Sequence, residues 1–236
     1  MQQVKFEDMG LIEYKKAWDH QETLLQRNVA LKSEARKADP DYKPFDVATG
    51  HFFLICEHPP VFTLGKSGDI SNVLLSQEQL GNKGIAFHQT NRGGDITFHG
   101  PQQIVGYPIL DLEKFKTDIG LYLRNMEEVI ILTLKEYGIT GKRSAGETGV
   151  WIDPDVKGKE RKICAIGVRC SRWVTMHGFA FNVNTDLNYF NYIIPCGISN
   201  KHVTSLEKEL GKKVDTDEVK DILKRKFEIV YNVELV

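Results

Sequence analysis

From residue 51 to residue 184 the chain is a succession of short apolar runs broken by glycine, proline and polar turns, with one long amphipathic helix set into it. The runs at 51–56, 61–64, 85–89, 95–99, 103–110, 150–153, 162–170 and 173–184 read as strands. Pro59-Pro60 stops the first of them, and the charged loop 154–161 joins two others. Most connections have hairpin length, whereas a parallel pair needs a long crossover. The pattern therefore predicts an α+β chain, a mixed β-sheet flanked by helices, rather than a doubly wound parallel fold.

The flanks read as helices. Leu11, Tyr14, Trp18, Leu25 and Val29 recur at helical spacing. The polar stretch 32–46, with Pro40 and Pro44, reads as an exposed connection. Ile119, Tyr122, Met126, Val129 and Thr133 share a face, with Thr117 or Asp118 as cap and Gly138 as stop. Thr204-Ser205-Leu206-Glu207 reads as a capping box opening a short helix that ends at Gly211. Residues 215–226 form a further amphipathic helix, with Val219, Ile222 and Leu223 on one side. The tail residues Phe227, Ile229, Tyr231, Val233 and Leu235 alternate strictly, which predicts a half-buried strand. No polar linker divides the chain, so one domain is expected over 1–236.

A chain of 236 residues can bury a sizeable core without staples. Its 31 basic and 32 acidic side chains give a net charge of −1, which leaves no excess positive charge for a nucleic-acid backbone. The apolar run Val129-Ile130-Ile131-Leu132 is too short to span a bilayer, and the start lacks the pattern of a secretory signal. Four scattered cysteines with no CxxC pair fit neither a disulfide framework nor a zinc site. A reduced, cytoplasmic protein is expected, with no membrane and no nucleic-acid partner.

Four segments carry candidate chemistry. In Asn91-Arg92-Gly93-Gly94-Asp95-Ile96-Thr97-Phe98-His99-Gly100-Pro101, the paired glycines let a ligand approach the backbone. Arg92 has the fork to hold a carboxylate or phosphate, and His99 is placed to donate to a carbonyl or exchange a proton. The same residues also read as a tight turn followed by a strand with one satisfied histidine. In Arg161-Lys162-Ile163-Cys164-Ala165-Ile166-Gly167, alternation puts Lys162, Cys164, Ile166, Val168 and Cys170 on one side. Lys162 is then either aimed into a cleft or snorkelling from a strand end. Cys164 and Cys170 read as small core residues. Cys196, between Pro195 and Gly197, reads as a thiol projecting from a loop or as a buried turn residue. Gly178 and Ala180, flanking Phe179, leave a slot for an alkyl chain or serve close sheet packing.

Together, RGGDITFHGPQ, KICAIGV, MHGFAFNVNTDL and IPCGI resemble, in order and rough spacing, the lipoyl(octanoyl) transferases. The resemblance runs from about residue 56 to 206. It implies a fold like the catalytic domain of biotin and lipoate protein ligases, and transfer of an octanoyl group from acyl carrier protein to a lysine of lipoyl domains. The acceptors implied are the lipoyl domains of 2-oxoacid dehydrogenase complexes and the glycine cleavage H protein. It also implies Cys196 as acyl-thioester nucleophile and Lys162 as its partner, with no cofactor. Substrate-binding stretches match Arg92, Gly93, Gly94, Asp95, Ile96, Thr97, Phe98 and His99, then Ala165, Ile166 and Gly167, then Gly178, Phe179 and Ala180. Gln102 departs from the family, which usually has glycine there, and the stretch 26–47 is longer than usual. An ATP-dependent lipoate or biotin ligase, or a silent acyl- or lipoyl-domain-binding protein, would share the cleft without needing the Cys196–Lys162 pair.

Overall fold

The computed structural model describes residues 1–194 and 202–236. The elements run β1 (Gln2–Leu11), α1 (Tyr14–Ala38), β2 (Phe52–Glu57), β3 (Val61–Leu64), α2 (Gln77–Asn82), β4 (Ala86–Gln89), β5 (Ile96–His99), β6 (Gln103–Ile109) and α3 (Ile119–Glu136). There follow β7 (Lys142–Ser144), β8 (Glu147–Ile152), β9 (Arg161–Ser171), β10 (Val174–Asn182), β11 (His202–Val203), α4 (Leu206–Leu210), α5 (Thr216–Tyr231) and β12 (Val233–Leu235). Among the described residues the large sheet has the order β12-β1-β2-β6-β10-β9-β8-β7, with β11 added to β9, and a small sheet has the order β4-β3-β5. Both are mixed: in the large sheet β1 pairs β2 and β12 in parallel and β11 pairs β9 in parallel, while the β2-β6-β10-β9-β8-β7 run is antiparallel, and in the small sheet β3 pairs β4 in parallel and β5 antiparallel.

Each face of the large sheet is covered. On one side α3 and α5 bury Met126, Val129, Ile130, Leu223 and Phe227 against Phe53, Ile104, Phe179 and Phe181. On the other, α1 packs Ala17 and Leu25 on Leu54, Val105, Tyr107 and Ala180. The small sheet has its own core of Phe62, Leu64, Ile96 and Phe98. Asp118 caps α3 by accepting from Leu121 N, and Gly138 follows with φ 71°.

Four sequence expectations change. The first segment is not one helix: residues 2–11 form β1, and Leu11 stands 65% exposed. Helix α1 begins at Tyr14 and continues to Ala38, through half of the stretch read as an exposed connection. Its buried face is Tyr14, Ala17, Gln21, Leu25, Asn28 and Lys32. The polar members conceal that face from an apolar count, because their partners lie elsewhere in the chain: Gln21 Oε1 accepts from His177 N–H, Asn28 exchanges hydrogen bonds with Gly50, and Lys32 meets Asp111 and Glu113. At the C-terminal end, α5 runs on to Tyr231 and only 233–235 is strand. Phe227 and Tyr231 are buried one helical turn apart, while Ile229 between them is 66% exposed. The cap of α4 is Ser205, which accepts from Lys208 N, rather than Thr204.

Candidate active site

A cavity of about 600 Å³ opens where β5, β6, β9 and β10 converge. Arg92, Gly93, Gly94, Asp95, Ile96, Thr97 and His99 line it from one side, and Lys162, Ala165, Ile166 and Gly167 from another. Gly178, Phe179 and Ala180 also reach it. Phe98 does not; it is 1% exposed and stacks on Tyr189 with ring centroids 4.5 Å apart, inside the small-sheet core. Cys196 lies outside the described residues. The described chain leads up to it at Ile194, whose N–H donates to Asn72 O, and resumes at His202. There β11 pairs in parallel with β9, placing Val203 opposite Lys162 on the cavity wall.

Strand β9 does not alternate cleanly. Val150 faces Cys164 and Trp151 faces Lys162, so Ile163 is an extra residue, a β-bulge. Ile163 is consequently buried in the same core as Cys164, against which Ile166 and Val168 also pack, while Lys162, Ile166 and Val168 line the cavity. The Lys162 Nζ sits 4.6 Å from the Trp151 ring centroid.

The Arg92 loop is braced from within. Arg92 is 8% exposed, and its guanidinium donates to the carbonyls of Thr63, Gly93 and Asp95 and to Thr63 Oγ1. The guanidinium thus spends donors on holding the turn, where the sequence reading offered it to a ligand. The N–H of Gly93 donates to Val168 O at 2.9 Å, docking the loop on β9. Gly178 has a backbone reason to lack a side chain, since a Cβ there would lie 2.0 Å from Gly106 O. Ala180 carries no such constraint and faces Val105 and Tyr107 in the α1-side core.

A buried polar network forms the rest of the wall. Gln103 Nε2 donates to Phe98 O and to Asn182 Oδ1, at 3.1 and 2.8 Å. That turns Gln103 Oε1 toward His99 Nδ1, 3.0 Å away, so Nδ1 carries the proton and Nε2 accepts from Thr63 Oγ1. Burial, with the nearby His58 and Arg92, holds His99 well below the usual histidine range. Burial thus disfavours the charged imidazolium, and both ring nitrogens of His99 have hydrogen-bond partners, Gln103 and Thr63. His58 Nδ1 donates to Ile12 O, leaving Nε2 to accept from Tyr107 Oη at 2.7 Å. Tyr14, the first residue of α1, stacks on His99 with centroids 5.7 Å apart, and burial pushes its hydroxyl up to about 12.

Tyr14, Gln103, Asn182 and His177 are cavity-wall residues that the sequence reading did not single out as site residues. Tyr14 was hidden in an apolar helix face. His177 stands in the fourth segment, and the structure adds a signal no sequence carries: φ is 57° in mid-strand, with the ring 1% exposed and Nε2 2.7 Å from Asn91 Oδ1. Burial, aided by Arg92 and Arg169, lowers it to about 3.

The remaining cysteines fit their reading as core residues to differing degrees. Cys56 and Cys164 are fully buried and Cys170 half-buried, and burial pushes all three thiols up.

Comparison with known proteins agrees with this architecture. The model of the family described as lipoyl protein ligase A/B catalytic domain matches residues 13–228. The chain is 55% identical over 234 residues to an octanoyltransferase of Flavobacterium psychrophilum, covering 99% of this chain and 98% of that one. An octanoyltransferase of Christiangramia forsetii is 53% identical over 234 residues, covering 99% and 97%. Among solved structures, a bi-partite lipoate protein ligase from Thermoplasma acidophilum aligns with a TM-score of 0.71 at 15% identity, over 100% of this chain and 86% of that one. A lipoate-protein ligase A bound with ATP gives 0.68 at 14% identity, over 100% and 87%. At such identities the structural likeness is one of fold. The sequence matches reach further, and by them the chain belongs to the lipoyl protein ligase A/B catalytic domain family, among its octanoyltransferases, and is an acyltransferase.

Proposed function

We propose that this chain moves an octanoyl group from the thioester of acyl carrier protein onto a lysine of lipoyl domains, through a thioester on Cys196. The acceptors are the lipoyl domains of 2-oxoacid dehydrogenase complexes and the glycine cleavage H protein. The solved Thermoplasma ligase was studied together with its E2 lipoyl domain, which is in keeping with an acceptor of that class. No helix among the described residues is long and apolar enough to cross a membrane, and a cytoplasmic setting suits the free thiol.

The observation that carries the reading is Val203 opposite Lys162 on the cavity wall. It ties the chain just after Cys196 to the strand that holds the lysine. In the first step the Cys196 thiolate attacks the donor carbonyl. The carbon–sulfur bond to the carrier breaks, and the carrier thiolate leaves with the electron pair. In the second, the neutral amine of the acceptor attacks, the carbon–sulfur bond to Cys196 breaks, and an amide forms. Lys162 as ammonium stabilises the thiolate and then gives its proton to the departing carrier thiolate; as amine it takes the proton that the attacking nitrogen loses. One thioester replaces another and an amide replaces the second, so ATP is not required. Gly93 N–H is committed to Val168, which leaves Gly94 and Gly197 as backbone candidates for the oxyanion.

Intact-mass analysis tests this. Octanoyl carrier protein should add one octanoyl group to the wild type and none to Cys196→Ser, and a lipoyl domain should then be modified without ATP. An adduct on Cys56, Cys164 or Cys170, or a requirement for ATP, would overturn it.

A further inference from the structure

Glu127 is a carboxylate with no exposure, on α3, outside the cavity. Such a charge is expensive to bury unless it is paired and hydrogen-bonded. Oε2 is paired with Arg124 Nη1 at 2.8 Å and Arg143 Nε at 3.0 Å. Oε1 accepts from the backbone N–H of Gly149 at 3.0 Å. That last bond matters because of where Gly149 sits. Its φ is +122°, and a Cβ on it would lie 2.6 Å from Cys164 O and 3.6 Å from Lys162 Cε. Gly149 is thus pressed against the bulge at Ile163, on the strand pair where Trp151 faces Lys162. The turn before it, Gly146 to Thr148, lines the cavity beside the lysine.

We propose that Glu127 is a positioning residue for Lys162: from α3 it fixes Gly149 and the bulge of β9, and so sets where the lysine amino group enters the cavity. The two arginines make the buried carboxylate tolerable, and the Gly149 bond turns it into a brace. This rests on the reading of Lys162 as the catalytic partner of Cys196.

The test is a double-mutant cycle with Lys162, measured with octanoyl carrier protein and a lipoyl domain. Glu127→Ala should lower kcat by about 10- to 100-fold with KM for the donor within about twofold, the scale of a misplaced catalytic group. Glu127→Gln, which keeps an oxygen for Gly149 N–H, should restore most of that loss. In a Lys162→Ala background Glu127→Ala should cost little more, because the lysine it positions is gone. Equal factors in both backgrounds, or an unchanged kcat, would overturn the proposal. Full activity of Lys162→Ala alone would overturn the lysine's role and the proposal with it, and is told apart by that single variant. Should Glu127→Ala not fold, Gly149→Ala displaces the same bulge from the other side. It carries the same expectation.

Discussion

The Lys162 ammonium stands 4.6 Å from the centroid of the Trp151 ring. An aromatic face holds such a cation in place, and in the proposed mechanism this cation steadies the Cys196 thiolate. Lys162→Ala should therefore shift the pH midpoint of Cys196 alkylation upward, toward the roughly 8.5 of an unperturbed thiol. Lys162→Arg keeps the charge but cannot deprotonate, so it should retain more of the alkylation rate than of the aminolysis rate. An unchanged midpoint in Lys162→Ala would remove the lysine from this role.

The two small residues of β10 should behave differently. Gly178→Ala sets a methyl 2.0 Å from Gly106 O and should destabilise the protein by about 1–3 kcal/mol, slowing all donors alike. Ala180→Leu should fill the cavity and slow an eight-carbon donor more than a two-carbon one, with Cys196 alkylation by a small reagent intact. Equal slowing of both donors in a folded protein would show that Ala180 packs without touching the acyl chain.

Acid should unfold the protein early. Burial holds His51 and His58 near about 4, His177 near about 3, and His99 well below 6.5. Unfolded, all four titrate near 6.5, so below that pH the unfolded chain binds more protons than the native one. Stability is complete above pH 6.5 and declines as pH falls, until the native histidines protonate. Each contributes a slope of up to about 1.4 kcal/mol per pH unit over that window. His51→Asn keeps an acceptor for Asp111 N–H, which His51 Nδ1 now supplies, and should make the slope shallower by one proton. Urea midpoints between pH 7 and 4.5 would measure it, and an unchanged slope would exclude His51.

Lys32 should be costly to remove. It is 4% exposed and pairs with Asp111 at 2.6 Å and Glu113 at 2.8 Å, while donating to Arg172 O. Lys32→Met strands a buried carboxylate and should cost about 3–5 kcal/mol. Adding Asp111→Asn should recover part of that loss. A single variant as stable as the wild type would mean that Asp111 is already relieved by Thr49, which donates to its other oxygen.

Gln102 occupies φ 61°, the left-handed region where glycine is unstrained. A glycine at this place would therefore be unstrained. Gln102→Gly should leave stability unchanged or raise it by up to about 1 kcal/mol, whereas the β-branched Gln102→Val should lower it. Chemical denaturation of the three proteins would settle the order.

The strands were legible because period and punctuation are local, and the cavity residues because they sit in contiguous motifs. What escaped was set by distant partners. Lys32 looks like a loop residue until Asp111 and Glu113 arrive from beyond β6. Phe227 and Tyr231 satisfy periods of two and four alike, and only the exposure of Ile229 separates them. The bulge at Ile163 depends on β8, so alternation could not show that Ile163 joins its neighbour Cys164 in the same core. The tautomer of His99 follows from Gln103, Asn182 and Thr63, which no spacing rule connects.

The parallel pairing of β1 with β12 has a consequence for synthesis. Gln2 lies beside Val233 and Val4 beside Leu235, so β1 waits for β12, made much later, before that edge is paired. Until β12 emerges from the ribosome the nascent chain carries an open sheet edge, a template for wrong pairing. Closing it spans a large sequence separation, which slows folding. A chaperone that shields β1 during translation should therefore raise the yield of folded enzyme more than one that acts after release.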